Sequence, residues 1–158
     1  PIGEKQRRRA TDAFLAFEVK KYSFKVREQI RAYRKIYSID HGLVDAIRFA
    51  FMDNYGRVLE NIVYLQFRRQ GRDVYYHAGQ KECDFIATDR GQVQTAIQVT
   101  ATMQQEKTRQ REIDGLMEAL EKYQLQEGLI LTDDEREALV LLGKSFKIRP
   151  IWWWLLQA

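Results

Sequence analysis

The chain has 158 residues, 45% of them hydrophobic, enough for one globular domain with a core of its own. It has no unbroken apolar run of roughly 18 residues and no apolar stretch behind its basic start, so neither a membrane-spanning helix nor a signal peptide is expected. A single cysteine excludes an internal disulfide and fits a reducing cytoplasm, with Cys83 read as a small core residue. The net charge of +4 is unevenly spread: residues 1–35 hold eleven Lys/Arg against four Asp/Glu, and the rest hold fifteen against eighteen. A basic first segment on a slightly acidic body predicts an anionic partner at that end, nucleic acid before a membrane surface, although a solvated basic helix face has the same composition.

In chain order, residues 1–9 read as a lead-in without a folding signal, as in a piece of a longer protein. A short helix carrying Phe14, Leu15 and Phe17 is expected next, then an extended segment over Tyr22 to Val26, then a weak helix or loop. Arg34 to Asp40 alternates and meets Asp40-His41-Gly42, a strand closed by a turn. A short helix is expected over Leu43 to Phe51, and a better one over Arg57 to Gln70, where Leu59, Ile62, Val63 and Phe67 share one face ahead of Gly71. Glu60 lies at the edge of that apolar stripe.

Asp73 to Ala78 reads as a strand, and Lys81 to Thr100 as a hairpin turning at Asp89-Arg90-Gly91. By alternation, Asp84, Ile86 and Thr88 share one face, Lys81 points the other way, and Gln98 shares its face with Thr100. Gln104 to Tyr123 is a helix with Ile113, Leu116, Met117, Leu120 and Tyr123 on one face and two wholly polar first turns. Gly128 to Thr132 reads as a strand buried on both faces. A helix capped by Thr132 or Asp133 is expected over Asp134 to Leu142, then a strand at Phe146 to Arg149, making a crossover unit. Three consecutive tryptophans at 152–154 must close the core or dock on a partner. These elements predict an α/β fold of three layers, a mixed central sheet with helices on both faces over residues 36–158, and a basic arm over residues 1–35.

From about residue 23 to the end, several stretches stand in the order of a known family: Arg34-Lys35-Ile36-Tyr37-Ser38-Ile39-Asp40, Gly56-Arg57-Val58-Leu59-Glu60-Asn61, Glu82-Cys83-Asp84-Phe85-Ile86, Ile97-Gln98-Val99-Thr100 and the Trp-rich end. The chain resembles the restriction-endonuclease-like PD-(D/E)XK superfamily, and more closely the C-terminal domain of many prokaryotic AAA+ ATPases. The resemblance implies an ATPase module upstream. This chain has no Gly-x-x-x-x-Gly-Lys-Ser/Thr stretch and so no P-loop ATP site of its own.

It also implies that Glu60, Asp84 and Gln98 stand at metal-binding positions and Thr100 at the catalytic lysine. Mg²⁺-dependent phosphodiester cleavage needs hard oxygen ligands to hold the ion, which activates water and neutralises phosphate charge. Asp84 and Glu60 supply such oxygens, Gln98 a neutral carbonyl, and Thr100 no ammonium; Lys107, early in the next helix, is placed to reach back. Arg7, Arg8, Arg9, Lys20, Lys21 and Lys25, with Phe14, Phe17, Tyr22 and Phe24 interleaved, suit a nucleic-acid backbone, and Arg68 and Arg69 suit phosphate. His41 and His77 lack further ligands at zinc spacing, and no serine has a Gly-x-Ser-x-Gly context. The expected function is a nucleic-acid-associated module with an incomplete nuclease site, DNA being a possible partner. The alternatives are a protein-interaction module that oligomerises or regulates the ATPase, and a working Mg²⁺ endonuclease.

Overall fold

A computed structural model describes residues 9, 11–12, 15–40 and 55–157. The turn at His41-Gly42 and the helix expected over Leu43 to Phe51 lie outside them, as do Arg7, Arg8 and Phe14. Where a first short helix was expected, Ala16–Val19 is instead strand β1, and a short helix follows at Val26–Arg31 (α1). Strand β2 is Lys35–Ser38 and helix α2 Tyr55–Arg69; β3 is Asp73–Ala78, β4 Glu82–Asp89 and β5 Gln92–Val99. Helix α3 is Glu106–Lys122, followed by β6 Glu127–Thr132, β7 Glu137–Leu141, β8 Lys144–Pro150 and helix α4 Ile151–Gln157.

Six strands form a mixed sheet in the order β3-β4-β5-β6-β8-β7. β3, β4 and β5 form an antiparallel meander, and β6 runs parallel to both β5 and β8. The β4–β5 turn is tight because Arg90 and Gly91 take positive φ of 48° and 79°, which matches the twist of the paired strands. α2 and α4 cover one face, where Leu59, Val63, Tyr64 and Phe67 meet Phe85, Ile97, Leu131 and Ile151. α3 covers the other, where Ile113, Leu116 and Leu120 meet Cys83, Ile86, Ile130 and Ile148. The tryptophan segment closes the core: Trp154 packs edge-on to Phe67 at 5.5 Å, leaving Trp152 exposed.

Residues 16–35, expected within a basic arm, are packed on this body. β1 and β2 pair from Ala16↔Ser38 to Val19↔Lys35, and Val19 and Tyr37 are buried on the α2 side. Lys20 and Tyr22 exchange backbone hydrogen bonds with Tyr76, and Tyr22 is buried on the α3 side.

The helix expected over Asp134 to Leu142 is a strand: β7 runs antiparallel to β8 at the sheet edge. Thr132 accepts the Glu135 N–H at 3.0 Å, which resembles a helix cap but here tightens a turn. Gly143, read as a helix stop, forms with Leu142 a hairpin turn at φ of 75° and 49°. β6 and β8 are still parallel neighbours, joined through a strand instead of a helix. Among the described residues no helix is long and apolar enough to cross a membrane.

Candidate functional site

Asp84 is aimed by a defect in the sheet. Between the pairs Tyr75↔Ile86 and His77↔Cys83, β4 places two residues, Asp84 and Phe85, opposite Tyr76 alone. Such a bulge breaks strict alternation, so Cys83 and Ile86 both enter the α3-side core and Phe85 enters the α2-side core. The expected shared face of Asp84, Ile86 and Thr88 is therefore not formed. One Asp84 oxygen accepts the Val99 N–H at 2.9 Å and the other the Lys35 ammonium at 2.8 Å.

Lys35 is the centre of the cluster. Its Nζ lies 3.0 Å from Glu60 Oε1, 2.7 Å from Glu82 Oε1 and 2.8 Å from Asp84 Oδ1. The Tyr37 hydroxyl, two residues along the same strand, donates to Glu60 at 2.5 Å. Asn61 fixes the strand's position, accepting the Ser38 N–H at 2.7 Å and donating to the Ser38 carbonyl at 3.0 Å. The Glu60-Asn61 pair thus grips β2 through the Lys35 and Tyr37 side chains and the Ser38 backbone. Tyr37 also stacks on Tyr64 at 4.4 Å, adding an aromatic contact to the same junction.

Burial works against the Lys35 charge, but Asp84, Glu60 and Glu82 outweigh it and raise its pKa. Burial pushes the Asp84 carboxyl up, to about 7, with Glu60 adding to the rise and Lys35 opposing it. Burial, then the Glu60 charge, holds the Tyr37 phenol protonated, well above its ordinary range.

Gln98 faces the other way. Its Oε1 accepts the Asp84 N–H at 3.0 Å, and its Nε2 donates to Glu112 on α3, a carboxylate only 3% exposed that also takes Arg111 Nε at 3.0 Å. Gly115 permits this approach of α3, since a Cβ there would sit 2.2 Å from the Glu82 carbonyl oxygen. Thr100 is buried, its hydroxyl donating to the Thr102 carbonyl at 3.4 Å. Lys107 is exposed on the first turn of α3 and does not line the cleft.

The cleft over these groups holds about 700 Å³ and is lined by Glu60, Glu82, Asp84, Gln98, Thr100 and Glu112, with Arg57, Lys81 and Arg111 also on its walls. Lys81, expected to point away, lines it because β4 begins at Glu82 and strand parity does not extend back through the turn. Of the basic residues singled out in the sequence, Lys25 pairs with Glu28 at 3.5 Å and Arg68 lies over Phe17 at 5.0 Å. Arg9, Lys20 and Arg69 are exposed, and none of these lines the cleft. His77 is fully buried between the Tyr123 hydroxyl and Glu118, at 2.9 and 3.0 Å.

The resemblance calls for Mg²⁺, and the donors do not fit it as arranged. The point on which Glu60, Glu82 and Asp84 converge is held by Lys35 Nζ, and the Gln98 carbonyl is turned to the Asp84 N–H. Among the described residues no group of three or more His, Cys, Asp or Glu side chains is placed to hold a metal ion. Lys35, Tyr37, Glu82, Glu112 and Arg57 were not singled out from the sequence. Two signals pointed to some of them: Lys35 and Tyr37 sit at i and i+2 on one predicted strand, and Glu112 lies four residues before Leu116 on the buried stripe of α3.

A family model described as "Domain of unknown function (DUF4143)" matches residues 55–154, and the chain belongs to that family. The uncharacterized protein MJ1544 of Methanocaldococcus jannaschii is 30% identical over 163 residues, covering 92% of this chain. The chain spans about a third, 34%, of that relative's length. No solved structure matches the chain significantly.

Proposed function

We propose that this member of the DUF4143 family is a nucleic-acid-binding module with a restriction-endonuclease-like architecture, in which a lysine takes the place of the metal ion. A relative about three times as long leaves room for the AAA+ ATPase module that the sequence resemblance implies upstream. The observation that carries the reading is Lys35 Nζ within 3.0 Å of three carboxylates, an internal cation where a nuclease would bind a divalent one. Arg57, Lys81 and Arg111 line the cleft with exposed side chains, so a phosphodiester backbone meets positive charge at its walls. Lys35 offsets part of the negative charge of the carboxylates on the cleft floor.

A second reading, a Mg²⁺ endonuclease using Lys35 where the family lysine is replaced by Thr100, has one point in its favour. Three carboxylates face one ammonium, an excess of negative charge that a divalent ion would relieve. One set of measurements separates the two. Labelled duplex DNA is titrated at several salt concentrations with the parent chain and the Arg57→Gln/Arg111→Gln variant, then incubated with Mg²⁺ or Mn²⁺. The binding-module reading expects affinity that falls steeply with salt, a loss of about 1.8 in the slope for the double variant if both arginines contact phosphate, and no cleavage. Absence of binding at low salt would sink it. Cleavage that Asp84→Ala abolishes would establish the nuclease instead.

A further inference from the structure

We propose that the groove beside α1 is a second binding site, selective for single-stranded nucleic acid; it rests on the reading of the chain as a nucleic-acid module. The groove holds about 330 Å³ and is lined by Lys21, Arg27, Glu28, Arg31 and Ala32. Its one carboxylate is already engaged: Glu28 accepts the Ser23 hydroxyl at 3.0 Å and pairs with Lys25 at 3.5 Å. Lys21, Arg27 and Arg31 have no carboxylate partner among the described residues. Three cations with no ion pair among the described residues, set around a concave surface with a single carboxylate, attract an anion with several charges.

The second observation is aromatic. Phe24 and Tyr33, at the two ends of this segment, expose 79% and 92% of their surfaces. Neither is a loose end. Phe24 packs edge-on against the buried Tyr22 ring at 5.4 Å, and the Tyr33 carbonyl accepts the Tyr76 hydroxyl at 2.6 Å. Rings presented to water from a fixed backbone, in the same segment as the groove's cations, are what unpaired bases and their phosphates recognise, the bases stacking and the phosphates pairing. Duplex DNA hides its base faces, so the rings favour a single strand. A membrane surface would want cations and apolar groups on opposite sides of a longer helix, whereas α1 is six residues long and its cations line a groove.

Tyr76 ties this groove to the cleft. Its backbone pairs with Lys20 and Tyr22 on either side of Lys21, its hydroxyl holds Tyr33, and its ring lies 5.7 Å below Lys35 Nζ.

The test is fluorescence anisotropy with a labelled oligothymidylate of about 20 nucleotides and a duplex of equal length. It compares the parent chain with Tyr33→Ala, Arg27→Gln/Arg31→Gln and, for the cleft, Arg57→Gln/Arg111→Gln. Arg27, Arg31 and Tyr33 are all exposed, so the fold survives the changes. Tyr33→Ala is expected to weaken oligothymidylate binding about 10-fold with an unchanged salt slope, and Arg27→Gln/Arg31→Gln to reduce that slope by about 1.4. Unchanged oligothymidylate binding in both α1 variants, with a loss in the cleft variant, would overturn the groove and leave the module reading standing. No binding by the parent chain at low salt would overturn both. Duplex binding weakened by the α1 changes as much as oligothymidylate binding would overturn the single-strand assignment, as would binding to anionic lipid vesicles that the α1 changes abolish while the oligothymidylate goes unbound.

Discussion

Asp84 separates two charged clusters with opposite balance. On the α2 side, Glu60, Glu82 and Asp84 share one ammonium, Lys35, whose side chain is 19% exposed. On the α3 side, Glu112 stands alone and is met by Arg111, 69% exposed, and by the Gln98 amide. Asp84 joins both, giving its carboxylate to Lys35 and its N–H to Gln98. The first cluster has more negative charge than it can neutralise and depends on one half-buried group; the second pairs one buried carboxylate with a cation that is mostly in water. Position in the fold, more than the number of ion pairs, sets how much each cation matters.

The largest effect is expected at Lys35. Lys35→Met removes the cation shared by the mostly buried Glu60 and Asp84 and by Glu82, which is 55% exposed, and, discounted for that exposure, the loss costs about 3 kcal/mol. Denaturant unfolding measures it, and a loss below that of an ordinary surface pair would show the cluster to be solvent-screened. The same variant vacates the point between the carboxylates, so Mn²⁺ should raise its melting temperature and leave the parent's unchanged. Equal stabilisation of both would mean that Lys35 does not stand in for a metal.

Asp84, the shared residue, gives an intermediate effect that depends on pH. Its folded pKa, about 7, lies above the ordinary 3.8, so the folded chain holds this proton more tightly than the unfolded one. The stability it contributes is present below about pH 4 and is lost as pH rises toward 7. Asp84→Asn lacks that slope. Relative to the parent, the variant should gain on the order of 1–2 kcal/mol between pH 5 and 8, discounted for residual solvent access. Melting curves that stay parallel across this window would place the Asp84 carboxyl in its ordinary range.

Much of the framework on which these clusters hang was legible in the sequence, and the clusters were not. The α2 stripe, the strand at Asp73–Ala78 and the Arg90-Gly91 turn follow from periodicity and turn chemistry, which are local. β7 was misread because a Thr132 turn and a glycine stop serve a hairpin as well as a helix, and Val140 and Leu142 are exposed at the edge instead of sharing a buried face. Asp84 and Glu60 were visible as acids in the right order. Lys35 was not, because it reaches them across 49 and 25 residues of sequence, through a strand whose place depends on Asn61 and on pairing with β1. Parity also failed at Asp84, since a bulge is a property of two paired strands and leaves no mark in either alone.

The smallest expected effect on stability, at Arg111, separates stability from binding. Its guanidinium is mostly in water, which screens its pairing with the buried Glu112 and discounts the loss to about 1 kcal/mol. Glu112 keeps the Gln98 amide when Arg111 is lost, so it is not left bare in the interior. Arg111→Gln should therefore unfold within about 1 kcal/mol of the parent. Yet Arg111 lines the cleft, and the loss of one phosphate contact lowers the salt slope of duplex binding by about 0.9. Lys35→Met should show the reverse pattern, a large loss of stability with the salt slope kept wherever the variant is folded, because its ammonium is committed to carboxylates. If instead Arg111→Gln destabilises as much as Lys35→Met, Glu112 depends on a single cation just as Asp84 does, and the contrast between the two clusters is wrong.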